Sequence, residues 1–185
     1  MAFIYNTFTI AANVRELTFY KLTSDQLYRG NLYGESIVIP PEGLVIDDTW
    51  GGQYSTVDSD SSITGSSDDD VLIINSGSCE GIIDLKGGNN ILMSNNYIGQ
   101  SNVFDAGDRD RILMGDGNNI ILAVHASGLK LGDGNDIIQL NSPRRVGEWL
   151  YGTNNFGDGN NEIYITYESG ADMTFGNGDD QIYSE

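Results

Sequence analysis

Single large aliphatic residues recur behind short polar, glycine-rich runs at Leu72, Leu92, Ile112, Ile121, Ile138, Ile163 and Ile182. Each stands two positions after an Asp or Asn. The preceding residues are mostly Gly, Ser, Asp and Asn, which favour tight turns over helix. The pattern predicts a turn followed by a short strand whose aliphatic side chain faces inward. The steps between these residues are 20, 20, 9, 17, 25 and 19. Self-similarity on this scale means stacked rounds of chain. If a round holds two turns and two strands, steps of 17 to 20 put one such turn per round on one edge. The step of 9 is then half a round, and it predicts that the motif changes edge. Turns ending at Asp70, Asn90 and Asp110 are expected on one edge, and those ending at Asn119, Asp136, Asn161 and Asp180 on the other. The step of 25 predicts an insertion between Ile138 and Ile163. His125-Ala126-Ser127-Gly128 and Glu168-Ser169-Gly170 read as plain turns facing the motif turns.

Upstream, the pattern changes. Phe3-Ile4-Tyr5, Leu17-Thr18-Phe19-Tyr20 and Ser36-Ile37-Val38-Ile39 are β-prone runs without the repeat. Nine of the eighteen aromatic residues fall within positions 1–54. This divides the chain into an aromatic-rich β cap or docking region, 1–54, and a repeat region, 55–185. A stack of strands exposes an edge and a core at its ends, so a cap is physically useful. Residues 55–64 read as a linker or a first round. The last motif lies at the end of the sequence, where an uncovered round is expected to meet another subunit.

Four copies carry two glycines: Gly115-Asp116-Gly117-Asn118-Asn119, Gly132-Asp133-Gly134-Asn135-Asp136, Gly157-Asp158-Gly159-Asn160-Asn161 and Gly176-Asn177-Gly178-Asp179-Asp180. Degenerate copies occur at Ser66–Asp70, Lys86–Asn90 and Ala106–Asp110. Together they resemble the calcium-binding nonapeptide of the RTX (repeats-in-toxin) family over roughly residues 65–185. The resemblance implies an all-β, right-handed parallel β-roll or β-helix solenoid. It also implies several Ca2+ ions held between neighbouring turns. The residues it assigns to the metal are Asp70, Asp108, Asp110, Asp116, Asn119, Asp133, Asp136, Asp158, Asn161, Asp179 and Asp180. The chain departs from the family pattern where Asn replaces Asp in the ligand slot, at positions 90, 119 and 161. An alternative is a ladder of Asn and Asp that holds a parallel β-helix together without metal.

The net charge of −18 sharpens that choice. Residues 47–185 carry 23 acidic and 6 basic side chains, against 4 and 3 in residues 1–46. The acid is therefore confined to the repeats, where divalent ions would relieve its repulsion. Such charge argues against a nucleic-acid partner. Cys79 is the only cysteine, so it has no internal disulfide partner and reads as a small buried hydrophobe. The N-terminus lacks the basic and continuous apolar segments of a secretory signal, and no run is long enough to insert in a membrane. An extracellular location is expected, by another export route or on a virion.

No catalytic constellation is recognisable, so no catalytic residues are assigned and the chain is read as a non-enzyme. Its expected role is a structural protein that self-associates or decorates a surface layer, filament or virion. The 139–156 insertion carries Arg144, Arg145 and Trp149, residue types that anchor contacts. They support a second reading, adhesion to a glycan or cell surface. A third is polysaccharide cleavage by paired carboxylates on the same scaffold.

Overall fold

The computed structural model describes residues 7–10, 15–18, 27–29, 34, 36–41, 43–47, 55–58, 61–74, 78–94, 97–99, 111–140, 149–165 and 167–184. Among them the protein is all-β. The first two strands, β1 (Thr7–Ile10) and β2 (Arg15–Thr18), form an antiparallel pair. The next are β3 (Leu27–Arg29), β4 (Ser36–Val38), β5 (Leu44–Asp47), β6 (Ser55–Val57), β7 (Ser62–Thr64), β8 (Val71–Ile74), β9 (Ser78–Cys79) and β10 (Ile82–Asp84). Then come β11 (Ile91–Ser94), β12 (Tyr97–Ile98), β13 (Ile112–Gly115), β14 (Ile120–Ala123), β15 (His125–Ser127) and β16 (Leu129–Leu131). The last are β17 (Ile137–Leu140), β18 (Trp149–Asn155), β19 (Glu162–Ile165), β20 (Tyr167–Thr174) and β21 (Gln181–Ser184).

These later strands build two parallel sheets. The first has eight strands in the order β3-β5-β8-β11-β14-β17-β19-β21. In the second, β6-β9-β12-β15 and β4-β7-β10-β13-β16 form two rows that meet on the long strand β18, which also pairs with β20. The chain passes from a strand of the first sheet to one or two segments of the second, and returns through a turn. Pairing is continuous from β3 and β4 into β8 and β10, so both sheets extend upstream of residue 55. Residues 55–64 contribute β6 and β7, making them part of a round.

The apolar pattern explains the packing. Leu72, Leu92, Ile121, Ile138 and Ile163 are aligned in the first sheet and fully buried. Ile63, Ile83, Ile112 and Leu129 are aligned and fully buried in the second. Both sets face one core. Alternation along each strand sends Val45, Ile73, Met93 and Leu122 to the other face of the first sheet, where they form a smaller apolar cluster. Further along that face the register brings Gln139, Tyr164 and Tyr183 into line. The rings of Tyr164 and Tyr183 stack with centroids 4.6 Å apart and planes nearly parallel, at 4°.

Two sequence expectations are corrected. Ile112 pairs with Ile83 and Leu129 in the second sheet, whereas Ile121 pairs with Leu92 and Ile138 in the first. The step of 9 therefore separates two strands of one round, and the motif does not change edge. Strands of both sheets bury aliphatic residues, so apolar spacing alone could not tell one sheet from the other. His125-Ala126-Ser127 lies in β15, and Glu168-Ser169-Gly170 in β20, rather than in turns. The step of 25 is an insertion within one round, as the spacing predicts, since Ile138 pairs with Ile163.

Candidate functional site on the turn edge

All the motif turns that the structure describes stack on one edge, and their Asp and Asn residues (Asx) form hydrogen-bonded columns. The inner column is Asp70, Asn90, Asn119, Asp136, Asn161 and Asp180. The backbone N–H of each donates to Oδ1 of the next: Asp70 to Asn90 at 2.9 Å, Asn90 to Asn119 at 3.1 Å, and Asn119 to Asp136 at 2.7 Å. Asp136 donates to Asn161, and Asn161 to Asp180, both at 3.0 Å. The first five members are buried. A buried N–H needs a partner, and one side chain per round supplies it.

An outer column lies one residue earlier and runs in the opposite sense. Here the backbone N–H of the later round donates to Oδ1 of the earlier one. Asn89 donates to Asp69 at 2.7 Å, Asn118 to Asn89 at 3.0 Å and Asn135 to Asn118 at 2.9 Å. Asn160 donates to Asn135, and Asp179 to Asn160, both at 2.8 Å. A third, partial column links Asp133 N–H to Asp116 Oδ1 at 3.0 Å and Asn177 N–H to Asp158 Oδ1 at 2.7 Å. The bonds from Asn177 hold the Asp158 carboxyl below its ordinary range.

Such close stacking requires glycine in the turn. A Cβ on Gly115, whose φ is +72°, would lie 1.2 Å from the carbonyl oxygen of Lys86 in the preceding round. At Gly159, with φ +127°, it would lie 1.9 Å from the carbonyl oxygen of Gly134. Lys86 itself has φ +66°, a conformation that favours glycine, and its ammonium pairs with Asp84.

The structure thus brings together Asp70, Asn119, Asp136, Asn161 and Asp180 in one column, puts Asp179 in the second and Asp116, Asp133 and Asp158 in the third. Asp108, Asp110, Arg144 and Arg145 lie outside the described residues; Trp149 begins β18. Sequence reasoning missed Asn89, Asn118, Asn135 and Asn160 as members of the site, and placed Asn90 in a ligand slot without assigning it to the metal. The usable signal was Asn at two consecutive slots, as in Asn89-Asn90, Asn118-Asn119 and Asn160-Asn161.

Calcium requires several oxygens converging on one point. At the Asn turns, an amide nitrogen faces the turn carbonyls instead. Asn119 Nδ2 donates to Gly115 O at 3.1 Å and Gly117 O at 3.0 Å. Asn90 Nδ2 donates to Gly87 O and Met114 O at 3.1 and 2.8 Å, and Asn161 Nδ2 to Phe156 O at 3.1 Å. These donor sets do not fit an ion unless the amides turn away. Asp136 is different. Its Oδ1 accepts from both the backbone and the amide of Asn119, while its buried Oδ2 has no hydrogen-bond partner. Burial pushes this carboxyl up to about 7, against the partial opposing effect of the Asn119 bonds.

Comparison with family models, with curated proteins and with solved structures gives no match. The class is therefore defined by geometry: an all-β chain of parallel sheets whose turn edge is tied by columns of Asn and Asp.

Proposed function

We propose that this is a non-catalytic structural protein, a parallel β-solenoid whose rounds are stapled to one another by side-chain amides. The observation that carries this reading is the inner column, in which Asn does between turns what the RTX resemblance assigns to calcium. Asn90, Asn119 and Asn161 each satisfy a neighbour's N–H and one or two backbone carbonyls, with no charge to neutralise. Ladders of this kind give stacked strands cohesion along the stacking axis. A stiff, acidic rod suits an exterior assembly such as a surface layer, filament or virion appendage.

The self-association half of the proposal rests on β21. Ile182 occupies the slot that is fully buried in the five preceding rounds, yet it is 47% exposed, and Tyr183 is 39% exposed. A further round of the same pattern, supplied by following chain or by a second copy, would cover both and extend the Tyr164–Tyr183 stack.

Two measurements test these halves. Thermal melting followed by circular dichroism should be unchanged by a calcium chelator and lowered by Asn119→Leu. The substitution strands the buried Asn90 N–H and two carbonyls, at about 3 kcal/mol or more. A chelator-induced loss of strand signal would return the stapling role to calcium. Light scattering at rising concentration tests association: Ile182→Asp should shift the protein toward monomer, and a wild type that remains monomeric refutes the assembly.

A further inference from the structure

Three of the two-glycine turns carry an Asp-Gly dipeptide, at Asp116-Gly117, Asp133-Gly134 and Asp158-Gly159, and the fourth carries Asn177-Gly178. The chain has no other Asn-Gly. An asparagine can react with the backbone nitrogen that follows it, which attacks the side-chain amide carbon. Glycine favours this attack because it has no Cβ to hinder the approach. A hydrogen-bonded N–H opposes it, because the bond must be given up first.

Stacking sets which of these nitrogens are engaged. Gly117 N–H donates to Asp133 O, Gly134 N–H to Asp158 O and Gly159 N–H to Asn177 O, each at 2.8 Å. The acceptor in every case belongs to the next round. Gly178 N–H has no acceptor among the described residues. The other turn asparagines are followed by engaged nitrogens. After the outer-column Asn it is an inner-column N–H, bonded to the next Asx side chain. After Asn90, Asn119 and Asn161 it is a strand N–H bonded to the preceding round. Asn177 is exposed, precedes a glycine at φ +148°, and is followed by an unengaged N–H.

We propose that Asn177 is a self-modification site, where Gly178 N closes a succinimide ring and water reopens it. In the first step the bond from Gly178 N to Asn177 Cγ forms and the Cγ–Nδ2 bond breaks. Nδ2 leaves as ammonia, carrying the proton from Gly178 N. Solvent water then adds to one of the two ring carbonyls. Addition at the side-chain carbonyl leaves an aspartyl residue, the type found in the other three turns. Addition at the backbone carbonyl leaves an isoaspartyl link, with one more methylene in the main chain. Both products lose the Nδ2 donor that reaches Asp158 Oδ2 at 3.1 Å and place a second carboxylate beside it. The isoaspartyl form also lengthens the turn that holds Asp179 to Asn160 and Asp180 to Asn161, and so loosens the last described round. A further round over this turn would give Gly178 N–H the acceptor that Gly117, Gly134 and Gly159 have. The reaction therefore marks an uncovered turn edge.

Peptide mapping by mass spectrometry, with isoaspartyl methyltransferase labelling, follows the reaction during incubation at mildly alkaline pH. Dilute protein that light scattering shows to be monomeric keeps this test separate from that of self-association. Conversion is expected at Asn177 ahead of every other turn asparagine, and Asn177→Gln should abolish it. Asp133→Asn creates the same dipeptide in a covered turn. In that variant position 133 should convert about tenfold or more slowly than Asn177 in the native state. In urea, where stacking is lost, the two rates should converge. Asp116→Asn makes the same comparison if Asp133→Asn does not fold. No conversion of Asn177 in the native monomer, earlier conversion of another turn asparagine, or equal native rates in the covered and uncovered turns overturns the proposal.

Discussion

At the scale of single residues, the inner column separates two side chains of nearly the same shape. Asn can accept a neighbour's N–H and donate to its own turn; ionised Asp can only accept. Asp136 shows the consequence, with a buried, unpartnered Oδ2 and a carboxyl raised to about 7 from the usual 3.8. Between those values the folded protein holds a proton that the unfolded chain has released. Stability therefore falls as pH rises from about 4 to about 7 and levels off above, with a total loss of at most about 4 kcal/mol. Asp136→Asn should raise the melting temperature at pH 8 and flatten that part of the profile, because Nδ2 would take the place of the unpartnered oxygen. An unchanged profile would mean that Asp136 is ionised and that a further group or ion satisfies its second oxygen. Lys86→Gly tests the turn geometry separately. Relief of its φ of +66° should stabilise by about 1 kcal/mol, less whatever the exposed pair with Asp84 contributes. Cys79 behaves as its isolation in the sequence suggests: it is buried, and burial lifts its thiol to about 12, so it is inert at neutral pH.

At the scale of elements, the same motif position has different energetic weight in different strands. Ile163 in β19 is fully buried between β17 and β21, whereas its register partner Ile182 in β21 is 47% exposed. Ile163→Ala should cost 2–5 kcal/mol, roughly the range for a buried aliphatic truncation that leaves a cavity. Ile182→Ala should cost about 1 kcal/mol or less in the monomer. Denaturant melts of the two variants give the comparison. Equal costs would mean that β21 is covered in solution, which itself supports association. The long strands β18 and β20 have a related role. Elsewhere the two rows of the second sheet are separate short segments, and β18 joins them by pairing with both β15 and β16.

For the whole molecule, the dominant fact is 27 acidic against 9 basic side chains. Most of that charge lies in the repeat region, along with the exposed parts of the columns. Self-repulsion at low ionic strength should make the fold salt-sensitive. The melting temperature is expected to rise with NaCl, and CaCl2 at matched ionic strength should add little if amides staple the rounds. A jump at micromolar to millimolar calcium, far below the NaCl needed for the same shift, would instead indicate dedicated sites.

The sequence by itself determined the all-β class, the tight glycine turns, the inward aliphatic position and the enlarged round after Ile138. These follow from local physics: glycine where a Cβ would strike the preceding round, and one aliphatic residue per short strand. It did not determine which strands share a sheet. Asp110-Arg111-Ile112 and Asn119-Ile120-Ile121 have the same local spacing, and only the pairing of Ile112 with Ile83, and of Ile121 with Leu92, sets them on different sheets. The meaning of Asn in the turns was also undecided, since a neutral residue in a ligand slot reads as a weakened metal site. Tertiary stacking gives each of these Asn residues a hydrogen-bond partner that the sequence could not show, because the partner N–H belongs to a residue 20 to 29 positions away.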